Sequence, residues 1–110
     1  MNREKDVEKY LREKIEGLGG MFLKFTSPGT DGVPDRIAIF PDGRLVFVEL
    51  KTETGKLSPV QGYICKKLVD LDQQVCIVYG RRAAEEFMRD MAGHSVSSWI
   101  YGPEGDYEFS

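Results

Sequence analysis

Two short apolar runs flanking a Pro-Asp-Gly turn constrain this chain more than any other feature. Ile37-Ala38-Ile39-Phe40 and Leu45-Val46-Phe47-Val48 are rich in strand formers, and Pro41-Asp42-Gly43 lies between them, which reads as a β-hairpin. Pro41 suits the first central position of a type I turn, and Gly43 suits the left-handed residue that closes a three-residue loop with a bulge. With that loop Phe40 faces Arg44, Ile39 faces Leu45, Ile37 faces Phe47 and Asp35 faces Glu49. A two-residue loop would instead shift the register by one and set Arg36 opposite Glu49.

The three-residue loop gathers charge at one end of one sheet face. Opposed residues of an antiparallel pair project to the same side, as do residues two apart on a strand, so Lys51 joins Asp35 and Glu49. Facing carboxylates repel unless something positive lies between them. Oxygen ligands so arranged suit Mg²⁺ or Mn²⁺, and a neighbouring lysine suits a metal-bound water or a phosphate. The plainer alternative is a surface hairpin with an Asp at one strand start and a Glu–Lys pair at one strand end.

The 110 residues suffice for a single domain with one core. No apolar run is long enough to span a membrane, and the charged N-terminus does not resemble a signal peptide, so the expected location is the cytoplasm. Cys65 and Cys76 lie in apolar surroundings without metal-ligand spacing and read as buried free thiols. His94 has no companion ligand and receives no role. The net charge of −3 does not advertise nucleic-acid binding, although a basic patch need only be local.

Residues 2–18 have the periodicity of an amphipathic helix with Val7, Leu11, Ile15 and Leu18 on its apolar stripe and Tyr10 beside it, ended by Gly19-Gly20. Glu4 and Glu8 border that stripe, and periodicity alone makes both solvated surface. Met21–Phe25 reads as a strand, and residues 26–32 as a turn-rich loop leading to Asp35. Ser58, Pro59 and Gln61 form a helix start with a capping box, followed by Val60, Ile64, Leu68 and Leu71 on one stripe. Lys66 and Lys67 fall off that stripe, towards solvent or DNA. Val75–Tyr79 is a strand buried on both faces and parallel to the 45–50 strand. Arg81 and Arg82 precede a helix over 83–92 with Phe87 and Met91 as core positions. Residues 94–110, with Trp99, Ile100, Tyr101, Tyr107 and Phe109, form an aromatic extension that adds an edge strand or covers a partner.

Pro34-Asp35 followed by Glu49-Leu50-Lys51 resembles the PD-(D/E)XK nuclease signature. The blocks Lys24-Phe25-Thr26-Ser27-Pro28-Gly29, Gly32-Val33-Pro34-Asp35-Arg36, Phe47-Val48-Glu49-Leu50-Lys51 and Lys56-Leu57-Ser58-Pro59-Val60-Gln61, in this order, resemble the virus-type replication-repair nuclease family, VRR-Nuc, over roughly residues 4–80.

That resemblance implies an α/β restriction-endonuclease-like core, a mixed β-sheet flanked by helices in the order αβββαβα, within one domain over 1–110 with its core at about 4–93. It implies a Mg²⁺- or Mn²⁺-dependent DNA endonuclease. Asp35, Glu49 and the Leu50 carbonyl would be metal ligands, completed by a first-helix glutamate, Glu8 or alternatively Glu4. Lys51 would orient or activate the attacking water, and Gln61 would point into the site. Lys24, Ser27, Arg36 and Lys56 would contact DNA. Stand-alone relatives resemble Holliday-junction resolvases and occur in phage genomes, which implies branched DNA and a homodimer. The alternative is a nucleic-acid-binding or protein-interaction module that keeps the fold without catalysis.

Overall fold

A computed structural model describes residues 3–93 and 98–102. The elements run α1 (Glu4–Gly17), β1 (Met21–Lys24), β2 (Arg36–Ile39), β3 (Leu45–Lys51), α2 (Pro59–Asp70), β4 (Gln74–Tyr79), α3 (Gly80–Ala92) and β5 (Trp99–Tyr101). The expected order αβββαβα is present, and β5 takes the edge-strand option for the aromatic extension. Tyr107, Phe109 and His94 lie outside the described residues.

The five strands form one mixed sheet in the order β1-β2-β3-β4-β5. The first three are antiparallel neighbours, while β3–β4 and β4–β5 are parallel. The hairpin has the three-residue loop. Ile37 pairs with Phe47 and Ile39 with Leu45, the Phe40 amide donates to the Arg44 carbonyl and the Gly43 amide to the Phe40 carbonyl, both at 2.9 Å. Gly43 has φ +95°, the left-handed conformation that the bulge requires.

Strand alternation divides the hydrophobic residues between two layers. On one face α1 and α3 cover Phe22, Ala38, Val46, Val48, Leu50, Cys76 and Val78, using Val7, Leu11, Ile15, Phe87 and Met91. On the other face α2 covers β4, where Cys65 packs with Val75, Ile77 and Tyr79. Beyond α2 this second face stays open, and Met21, Leu23 and Leu45 are exposed on it.

Helix ends and stripes depart from the sequence reading in three places. Leu18 is the C-cap of α1 and is exposed, because the chain turns away there through Gly19 at φ +94°. In α2 the buried residue is Cys65, whereas Val60 is exposed and Leu71 is 66% exposed. A helix that packs mainly on one strand needs a narrow buried stripe: Leu68 of the expected stripe packs against this cluster, joined by Cys65 and Val69, while the two ends of the expected stripe stay exposed. Finally, α3 starts at Gly80, since β4 passes into it without a loop.

Candidate active site

The hairpin register delivers Asp35 beside Glu49. The Asp35 amide donates to Glu49 Oε1 at 3.2 Å, and the Leu50 amide donates to Asp35 Oδ1 at 3.3 Å. Glu49 is 3% exposed, the one charged residue buried to this degree among the described residues. Burial and the neighbouring Asp35 push its carboxyl up to about 7, against the opposing pull of Lys51. Burial likewise raises Asp35, despite the Leu50 amide and the positive charges of Arg36 and Lys51. Two carboxyls held together in this way resist ionising at once.

The start of α2 completes the cluster. Ser58 is its N-cap, and its hydroxyl accepts the Gln61 amide at 3.2 Å. Gln61 Oε1 in return accepts the Ser58 amide at 2.9 Å and also Lys51 Nζ at 3.0 Å, while Gln61 Nε2 donates to Glu49 Oε2 at 3.1 Å. One side chain therefore serves as helix cap and as bridge between Glu49 and Lys51. Lys51 Nζ is itself 3.5 Å from Glu49 Oε2. Gly32 lets the preceding loop lie against this helix start: a Cβ there would stand 2.7 Å from the Val60 carbonyl oxygen.

Among the residues expected to touch DNA, Lys24 and Lys56 are exposed and Ser27 is half-buried. Arg36 differs. Its side chain is 11% exposed, turned to the α1 face, with Nη1 3.4 Å from Asp35 Oδ2 and 3.0 Å from the Asp35 carbonyl oxygen. Its Nε is 3.6 Å from Glu8 Oε2. Glu8 does not join Asp35 and Glu49; it pairs with Arg12 at 2.9 Å and with Arg36. Glu4 is exposed in the first turn of α1. Among the described residues no group of three or more His, Cys, Asp or Glu side chains is assembled for a metal ion.

Sequence reasoning missed the Arg12–Glu8–Arg36 chain. Its signals were present: Glu8 and Arg12 are four apart on a helix, and Arg36 shares a strand face with the core residue Ala38. Burial holds the Cys65 thiol up at about 11 and the Cys76 thiol up at about 12, so neither offers a thiolate at neutral pH.

Models of known protein families do not match the sequence. A phage protein does: "Putative nuclease p44" of Acyrthosiphon pisum secondary endosymbiont phage 1 is 40% identical over 76 residues, 69% of this chain and 82% of that protein. A solved structure described as a VRR_NUC domain superposes with a TM-score of 0.74 at 31% identity, covering 78% of this chain and 94% of the other. The chain belongs to the VRR-Nuc family. Its mixed five-stranded sheet with flanking helices is the VRR-Nuc fold.

VRR-Nuc membership implies a divalent metal, and the donor set fits one. Asp35 and Glu49 are facing carboxylates whose joint ionisation calls for a cation. The Leu50 carbonyl points to the same strand edge as its amide, the edge at which Asp35 sits. Two carboxylates and a backbone carbonyl are oxygen ligands that suit a hard ion keeping several waters or phosphate oxygens.

Proposed function

We propose that this VRR-Nuc domain is a metal-dependent DNA endonuclease. The observation that carries the reading is the buried Glu49, held beside Asp35 on one side and joined through Gln61 to Lys51 on the other. Asp35, Glu49 and the Leu50 carbonyl would hold Mg²⁺ or Mn²⁺. Such an ion supplies charge neutralisation at the phosphate and acidifies a water. Lys51 presents its ammonium to the non-bridging phosphate oxygens, where negative charge grows during attack. Gln61 fixes the direction of that ammonium, and Lys24, Ser27 and Lys56 would contact flanking phosphates, a reading that the exposure of Lys24 and Lys56 supports.

We further propose that the substrate is branched, junction-like DNA and that two copies cut it together. The open sheet face supports this reading. Met21, Ile39 and Leu45 form one cross-strand row and Leu23, Ile37 and Phe47 the next, all uncharged, on the face that also carries Glu49 and Lys51. These two rows can pack against the same rows of a second copy without burying a charge, and the two-fold axis would match that of a four-way junction. The test is sedimentation of the protein alone and with a four-way junction, beside cleavage of both. The expected result is a dimer that cuts two opposed strands in concert and that Leu23→Glu dissociates. A monomer that still cuts both strands in concert would contradict the dimer.

A further inference from the structure

The Glu8–Arg36 pair sits beside Asp35 without belonging to the oxygen donor set. We infer that Arg36 is a positioning residue that ties Asp35 to α1, and that Glu8 acts on the metal site through Arg36 and not as a ligand. This rests on the metal-dependent reading of the site and says how the first helix contributes to it.

The geometry points this way on three counts. Arg36 holds Asp35 twice, at the carboxylate and at the backbone carbonyl, through the same Nη1. A contact that includes the backbone fixes where the end of β2 stands, and so where the carboxylate can go. Second, Glu8 is already engaged: Arg12 Nη1 lies 2.9 Å from Oε1 and 3.0 Å from Oε2, and Arg36 Nε approaches Oε2. Third, Arg36 is a core-facing position of β2, level with Val48 on β3, whereas Glu49 and Lys51 project to the opposite face.

A guanidinium in that place needs a counter-charge. Arg36 Nε is buried and makes no hydrogen bond among the described residues, so the Glu8 carboxylate supplies its balance there. The fork shape of the side chain matters as well, because Nε serves α1 while Nη1 serves Asp35. Lysine offers one point of charge and cannot do both.

A double-mutant cycle on Mn²⁺ affinity, read by calorimetry on the DNA-free protein, separates positioning from ligation. Arg36→Met is expected to weaken Mn²⁺ about tenfold, as loss of a partner that orients a ligand does. Glu8→Gln is expected to weaken it comparably in the native background and, once Arg36 is Met, by less than about twofold, the mark of a shared route. Equal weakening by Glu8→Gln in both backgrounds would make Glu8 a direct ligand and overturn the inference. Tighter Mn²⁺ binding by Arg36→Met would also overturn it, since Arg36 would then be a competing cation. If Arg36→Met does not fold, Arg36→Lys takes its place in the cycle, with the same non-additivity expected. A native protein that binds no Mn²⁺ would overturn the proposed function and this inference together.

Discussion

Gln61 Nε2 donates to Glu49 Oε2 across 3.1 Å while the same side chain closes the capping box of α2. The helix start and the buried carboxylate are thereby one unit. Whatever displaces the first turn of α2 also displaces the partner of Glu49 and of Lys51.

Two substitutions separate these roles. Ser58→Ala removes the cap hydroxyl and should cost about 1 kcal/mol of stability by urea unfolding, with cleavage largely retained. Gln61→Ala should cost a similar amount, about 1 kcal/mol, and also lower cleavage by at least about tenfold, because Lys51 loses its orienting acceptor. Equal cleavage by the two variants would show that Gln61 serves only as a cap.

Stability should fall as pH rises, in EDTA. The folded Glu49 carboxyl is raised to about 7 from its ordinary 4.5, so between those values the folded state binds more protons than the unfolded chain. The stabilisation from the protonated group is complete below about 4.5 and is lost as pH climbs through about 7, and Asp35 acts in the same direction. The loss is on the order of 3 kcal/mol. Glu49→Gln should match the native protein near pH 4 and exceed it in melting temperature near pH 8. A difference that does not change with pH would contradict the raised carboxyl.

Gly32 and Gly43 form a matched pair. Both have φ near the same positive value, +89° and +95°, but a Cβ at Gly43 meets nothing within 4 Å while one at Gly32 strikes the Val60 backbone. Gly43→Ala should therefore cost about 1 kcal/mol from backbone strain alone. Gly32→Ala should cost more and should lower Mn²⁺ affinity, because it pushes the loop before Asp35 away from α2. Equal losses in chemical denaturation would mean that the close approach carries no energy.

Much of this site was legible because strand pairing is arithmetic. Pro41 and Gly43 set the loop, the loop set the register, and the register put Asp35 beside Glu49 and Lys51. Ser58 and Gln61 were legible as a capping box for the same local reason. Residues whose roles come from packing between distant elements were not. The resemblance puts Arg36 among the DNA contacts, and only the packing of α1 brings Glu8 against it. The ends of the α2 stripe were misplaced because the sequence does not say that the helix lies mainly over β4: Leu68 packs as expected, but Cys65 and not Val60 or Leu71 is buried.

The most direct test is cleavage of a labelled four-way junction and a matched linear duplex in Mn²⁺, Mg²⁺ and EDTA, with Lys51→Ala run beside the native protein. The expected result is cutting that needs the metal and disappears in Lys51→Ala, whose circular dichroism stays native. No cutting with either metal, or cutting undiminished in Lys51→Ala, would contradict the assignment of Asp35, Glu49 and Lys51 as the centre of a nuclease.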